Sequence, residues 1–329
     1  MSNKPNYYFN TLLSNQIRKF FLFLYMDFGK LPDISKITFT LPPDAPGNDR
    51  IWAKCGNTRN KNPKVYVGCP VWANKNWLGG LYPNNAKSRD YLKHYCEQLN
   101  TIELNVTHYQ IPEEKTIERW KSQASEGFLF APKVLQEISH RLLPEGQAIP
   151  LMKEFCRSIM GLEKYLGTSF LQLGPAFSPE YADKLEDFLA ALPHDYKLAI
   201  EFRHPDWFKG DNFEQIAQIM ENYQAGTVMT DVAGRRDVLH MRPTTPTVML
   251  RFVGNDLHPT DFERVDVWVQ RFKNWLDKGL EEIYFFAHEP NNDDAPQLAT
   301  YFIREMNTHC GLNLKVPKSY QLPVQGSLF

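Results

Sequence analysis

Between residues 65 and 289 the sequence repeats one pattern eight times: a short run rich in β-branched and aromatic residues, a polar or charged group, then a stretch with helical spacing. The runs occupy 65–71, 101–107, 128–134, 170–174, 198–204, 226–232, 248–254 and 283–289. Short, nearly continuous apolar runs suit strands buried on both faces, and helices placed between them require parallel pairing. With 329 residues and 43% apolar content the chain can bury a large core. Eight such units in unbroken order predict a single α/β domain of the TIM (β/α)8 type over 65–310.

The helices carry their own signals. Tyr91, Leu92, Tyr95, Cys96 and Leu99 share one face behind a capping Ser88. Ser178 and Pro179 open a helix carrying Leu185, Phe188 and Leu189, and Asp211 with Glu214 resembles a capping box. Val265, Trp268, Val269, Phe272 and Leu276 mark a helix that stops near Gly279. One unit breaks the rhythm: 233–247 is short and holds Pro243 and Pro246, so the sixth helix is expected to be reduced or missing. The stretch 139–150 reads as a long loop of the kind that carries function.

Residues 1–64 read as an extension, partly irregular or disordered, and 311–329 as an extended tail with Pro317 and Pro323. Arg18 and Lys19 precede an apolar run over 20–26, too short to span a bilayer and without a small-residue cleavage site behind it. Met26 opens a segment that reads as an ordinary start.

Charge narrows the partners. Lys and Arg (37) balance Asp and Glu (38), so no global field draws the chain to nucleic acid or an acidic membrane. Five scattered Cys without CxxC spacing argue for reduced thiols, a cytoplasmic location and no zinc site. No GxGxxG, phosphate-binding GxxxxGK[ST] or GxSxG element occurs.

In a barrel of this type the chemistry sits at the C-terminal ends of the strands. The stretch 197–207 is the densest: Glu201 and Arg203 share one face by the period of two, and a buried pair of this kind must be partnered or used. A structural salt bridge is the bland alternative at that one site; the recurrence of polar groups at nearly every strand end favours function. Glu103, Lys133, Glu201, Arg203 and Asp231 are the catalytic candidates. The three carboxylates suit acid, base or metal-ligand roles, with His140 or His204 as proton shuttle. Lys133, Arg203 and Arg251 suit a phosphate or carboxylate, Arg best through its bidentate fork. Trp72, Trp77, Tyr109 and Trp207 could stack on a sugar or base, with wall packing as the alternative for each. Asn105 and Gln172 complete the substrate-binding set.

Several of these motifs, in order, resemble those of the YecE-like family, a TIM-barrel domain of unknown function (domain 72). They are Val67-Gly68-Cys69-Pro70-Val71-Trp72, Trp77-Leu78-Gly79-Gly80-Leu81-Tyr82-Pro83, Thr101-Ile102-Glu103-Leu104-Asn105 to Tyr109, Phe128 to Lys133, and Ser139-His140. Leu171-Gln172-Leu173-Gly174-Pro175, Glu201-Phe202-Arg203-His204 to Trp207, Asp231 and Arg251-Phe252-Val253-Gly254 follow. The resemblance spans about 65–307 and departs from the family pattern at Val71, His108, Phe252-Val253 and Phe286 to Pro290. It implies the barrel but no reaction. A divalent metal follows only by analogy with xylose isomerase and endonuclease IV, barrels to which the family is distantly similar; no HExxH or HxH pair is present and no metal ligand is assigned.

Two functions are therefore expected to compete. One is a hydrolase-like or lyase-like enzyme on a small anionic, phosphate-containing or sugar-containing substrate. The other is a repair-type, nucleic-acid-associated protein, whose tail Gln325-Gly326-Ser327-Leu328-Phe329 resembles the peptide that docks on the DNA polymerase sliding clamp through Gln325, Leu328 and Phe329. A non-catalytic binding protein is the third alternative. None involves a membrane.

Overall fold

The computed structural model describes residues 29–320. Within them all eight runs become strands: β1 (Lys64–Gly68), β2 (Thr101–Leu104), β3 (Leu129–Pro132), β4 (Ser169–Gln172), β5 (Leu198–Glu201), β6 (Gly226–Asp231), β7 (Thr247–Val253) and β8 (Glu282–His288). Several end sooner than the apolar runs, because the chain tightens into single turns at Asn105–His108, Pro205–Phe208 and Ala233–Val238. Every strand ladder is parallel.

The ladders do not close into one ring. Six strands pair in the order β1-β8-β7-β6-β5-β4, and β2 pairs with β3 alone. At the β1–β2 seam, side chains replace the ladder. The Tyr95 hydroxyl accepts from Cys69 N–H (2.7 Å) and donates to Thr101 O (2.9 Å), and the Asn100 amide bridges Val67 N–H and Val65 O. One backbone bond, Glu103 N–H to Cys69 O at 3.2 Å, crosses the seam. Gly68 explains the close approach: a Cβ there would stand 2.1 Å from the carbonyl oxygen of Thr101. At the β3–β4 seam, Val134 N–H donates to Phe170 O at 2.8 Å beside a lone bridge between Lys133 and Phe170.

Helices follow the strands: α2 (Tyr91–Gln98), α3 (Glu114–Gln123), α4 (Ile149–Ile159), α5 (Ala182–Ala190), α6 (Asn212–Asn222), α7 (Pro259–Asp277) and α8 (Ala295–Cys310), with α1 (Asn48–Lys54) ahead of β1. The apolar faces read from the sequence are the buried ones: Leu185, Phe188 and Leu189 on α5, and Val265, Trp268, Val269, Phe272 and Leu276 on α7. Pro179 opens a helical turn that leads directly into α5, as expected, but the side-chain caps do not form. Ser88 lies inside a tight turn, and neither Ser178 nor Asp211 makes a side-chain cap bond. At Ser88 and Ser178 the tight turns set the helix entry, while Glu214 is drawn away from Asp211 by Arg242, whose Nε donates to it at 2.8 Å.

Between β6 and β7 there is no α-helix, only the turn Ala233–Val238. Its place in the outer layer is taken from the other end of the chain. Asp44 accepts from Trp275 Nε1 of α7, Ala45 N–H and the Asn48 side chain donate to Met241 O, and Arg50 and Lys54 pair with Glu221 of α6. Ile51 and Trp52 are buried, with the Trp52 ring 5.9 Å from that of Trp275. The α6–α7 gap is thus covered by α1 rather than left open to water.

Strand alternation sorts the inner face into rows. Tyr66, Leu129 and Tyr284 lie toward the N-terminal ends, and Ala131, Phe170, Ala199, Val228, Met249 and Phe286 form an apolar layer above them. Two residues further along each strand stand Lys133, Gln172, Glu201, Thr230, Arg251 and His288. The dry layer is the floor beneath a polar one.

Candidate functional site

The polar layer is one connected network. Glu103 on β2 is fully buried and accepts from Arg251 twice, from Nε and Nη2, both at 3.0 Å. The third donor of the same guanidinium, Nη1, reaches Glu201 on β5 at 2.9 Å. Glu201 also pairs with Arg203 Nη2 at 2.7 Å and accepts from the Thr230 hydroxyl at 2.8 Å. Glu103 is flanked by His288 Nε2 at 2.8 Å and by the Asn105 amide at 3.0 Å. On the far side, Gln172 Oε1 accepts from both Arg203 Nη2 (2.8 Å) and Lys133 Nζ (3.0 Å). The chain of contacts runs His288, Glu103, Arg251, Glu201, Arg203, Gln172, Lys133, with Phe170 beneath: its ring centroid lies 5.6 Å from Arg251 Cζ and 5.9 Å from Lys133 Nζ.

Charges in such a site set one another. Burial is the largest influence on Glu201 and works to raise it, but Arg203, Arg251, Lys133 and the Thr230 bond outweigh burial and hold it at about 2. Glu103 is likewise held well below the carboxylate range, burial being overcome by Arg251 and His288. Burial lowers Arg203 to about 10, so it stays charged at neutral pH. Lys133 is the exception. Burial first and the Arg251 charge second depress it to about 7, and the two glutamates offset this only in part. Among the described residues no carboxylate pairs with its Nζ.

Beside Lys133 stand two neutral imidazoles. Burial, with Lys133 next, pushes His108 down to about 3 and His140 to about 4. His108 Nδ1 lies 2.7 Å from Val134 O; a carbonyl only accepts, so this nitrogen carries the proton. His140 Nδ1 sits 2.7 Å from the buried Ser139 hydroxyl, and its ring is 5.7 Å from that of His108.

Of the sequence-derived candidates, Glu103, Lys133, Glu201, Arg203, Asn105, Gln172 and Arg251 meet in the network, with His140 at its edge. Asp231 does not. Thr230 takes the inward position, so Asp231 faces α7, where it accepts from Arg264 Nη2 (2.8 Å) and Trp268 Nε1 (2.6 Å) and pairs with Arg236. Trp77 and Trp207 are wall residues, 2% and 1% exposed, whose indole N–H groups donate to loop carbonyls at Asn292, Asp293 and Phe177. Trp72 is half-buried against Trp120 of α3, 6.3 Å between centroids. His204 turns away to accept from Asp206 N–H at 3.2 Å. Tyr109 is 63% exposed over His108. Gln325, Leu328 and Phe329 lie outside the described residues.

Sequence reasoning left Thr230 and His288 out of the candidate set. His288 closes an apolar strand, the signal that singled out Lys133, whereas Thr230 carries no signal beyond its period-two position. As for a metal, both carboxylates of the network are already engaged by guanidinium groups, and no group of three His, Cys, Asp or Glu among the described residues is placed to hold an ion. The described residues do not make a metal site. No described helix is long and apolar enough to cross a membrane.

The family model described as "Protein of unknown function DUF72" matches residues 66–321, the whole stretch that builds the network. The chain belongs to the DUF72 family. It is 27% identical over 285 residues to the UPF0759 protein YecE of Escherichia coli strain K12, covering 80% of this chain and 100% of that one. The UPF0759 protein YunF of Bacillus subtilis strain 168 is 24% identical over 163 residues, 48% of this chain and 57% of its own. Crystal structures of DUF72 family proteins from Enterococcus faecalis V583 and Thermotoga maritima MSB8 share the fold, with TM-scores of 0.59 and 0.58 at 18% and 24% identity. They cover 77% and 74% of this chain, and 100% and 99% of their own. DUF72 membership thus accounts for the α/β fold with its parallel sheet and brings no reaction with it.

Proposed function

We propose that this DUF72 chain is an enzyme acting on a small anionic substrate, hydrolase-like or lyase-like, with Lys133 as its acid–base group. On this reading the eight strands form a (β/α)8 barrel with one seam bridged largely by side chains and one by a lone backbone bridge, and the substrate enters at the strand C-termini. The observation that carries it is the charge balance around Lys133. Two carboxylates, Glu103 and Glu201, are matched by two guanidinium groups, Arg203 and Arg251. The amine is left over, buried to 8% exposure and poised at about 7. An amine in that condition exchanges a proton at neutral pH and, once protonated, attracts an anion.

Two further features support the reading. The two imidazoles beside the amine are neutral, so neither competes with it for an anion, and His140 can relay a proton. The carboxylates are locked by Arg251 and held ionised, so they shape the field instead of exchanging protons. The test is a thermal-shift panel of phosphate- and carboxylate-bearing metabolites against the full chain and its Lys133→Gln variant. A ligand that stabilises the parent and leaves the variant unmoved is expected. Equal shifts in both proteins would refute the assignment.

A further inference from the structure

Resting on that reading, we infer that Lys133 Nζ condenses with the carbonyl carbon of a small oxo compound bearing a carboxylate or phosphate, forming a protonated imine. The geometry favours a nucleophile over a plain anion ligand. Nζ lies beside the Phe170 ring and donates a hydrogen bond to Gln172 Oε1 at 3.0 Å, and that same oxygen is held by Arg203. A neutral amine satisfies this contact with one N–H and keeps its lone pair unused, with the neutral imidazole of His140 nearby. Lysine amines become nucleophiles in this way when desolvated beside another cation.

The step balances without a co-reactant. The nitrogen lone pair forms the C–N bond, and the proton that the amine loses passes to the former carbonyl oxygen, giving a carbinolamine. That oxygen takes a second proton from solvent and leaves as water while the nitrogen lone pair makes the C=N bond. The product carries one positive charge where the free amine carried none. Because Glu103, Glu201, Arg203 and Arg251 already cancel, that charge calls for a negative group on the substrate itself. This identifies the class as an anionic carbonyl compound, a 2-oxo acid or a phosphorylated aldose or ketose.

The experiment is reductive trapping. The full chain is incubated at neutral pH with sodium cyanoborohydride and either glyoxylate or dihydroxyacetone phosphate, then mapped by peptide mass spectrometry. An ordinary lysine, with a pKa near 10.4, is almost wholly protonated there, so Lys133 should be alkylated at least about tenfold faster than the surface lysines. Preference for glyoxylate points to a 2-oxo acid, and preference for dihydroxyacetone phosphate to a sugar phosphate. Labelling of Lys133 at the surface-lysine rate with both probes overturns the imine. Because the mapping uses the parent protein, a variant that fails to fold does not affect it. Inorganic phosphate, which has no carbonyl group, separates the two claims: phosphate stabilisation that depends on Lys133, without trapping, leaves the anion-binding enzyme standing and removes only the imine.

Discussion

Arg251→Met is the sharpest probe of the network, because one guanidinium holds two carboxylates through three hydrogen bonds. Its loss leaves Glu103 with His288 and Asn105, and Glu201 with Arg203 and Thr230. Removing one partner of a buried pair costs about 3–5 kcal/mol, because the charge left behind stays out of water. In a domain of this size that lowers Tm by roughly 5–15 °C. The pH dependence gives the reasoning a second check. In the parent both glutamates have folded values below their unfolded ones. The stability they contribute is therefore present above the unfolded value of about 4.3 and lost as pH falls toward about 2. In the variant burial dominates Glu103, its folded value rises above the unfolded one, and acidification now favours the folded state. Denaturant titrations at pH 7.5 and pH 5 should therefore show a smaller difference between the two proteins at the lower pH. A loss under about 1 kcal/mol, equal at both values, would mean that Arg251 is not the keystone of the buried charges.

Four further outcomes follow. Asp231→Asn should lower stability by about 3–5 kcal/mol, since it breaks the buried pair with Arg264, yet leave any ligand-induced thermal shift intact; loss of that shift would return Asp231 to the site. Gly68→Ala forces a methyl group against the Thr101 carbonyl, so denaturant unfolding should show a loss of about 1–3 kcal/mol, and a neutral result would refute the close approach at the β1–β2 seam. Trp52→Ala should cost about 3–5 kcal/mol by opening the α1 contact with Trp275, measured in the same way. Glu289, raised to about 7 by burial and then by Asp261, loses stability as pH climbs from about 4.3 through 7, so Glu289→Gln should flatten that part of the stability profile, and an unchanged slope would contradict the shift.

The strands were legible because continuous apolar runs bounded by charge leave little other choice, and the absent sixth helix because 233–247 has neither the length nor the freedom from proline to form one. Glu201 and Arg203 were assigned to one face by parity alone, and their ion pair is there at 2.7 Å. The same parity rule could not place Asp231. A run of six residues buried throughout, 226–231, reads identically whichever set faces inward, and only the neighbouring strand's register puts Thr230 inside. Trp77 and Trp207 lie in tight turns, where no period marks a face, so a wall and a binding platform look alike in sequence. The filling of the α6–α7 gap by α1 was out of reach for another reason: Asn48 meets Met241 across 193 residues, with no local signal at either end.

Asp231 and Glu201 are the most informative comparison in the molecule, since both are buried carboxylates near the ends of adjacent parallel strands and both are held by arginine. Asp231 receives Arg264, Arg236 and the Trp268 indole on the helix side, a set that satisfies both of its oxygens and faces α7, not the inner surface. Its environment is complete, and it ties β6 to α7. Glu201 is equally saturated, yet its arginines belong to a larger set in which one further cation has no anion of its own. A fold needing only cohesion would not gain from placing that cation there: a buried amine without a counter-charge loses hydration and receives little in return. Under the proposed function, this leftover amine beside balanced charges makes Lys133, rather than the glutamates that first draw the eye, the residue to test.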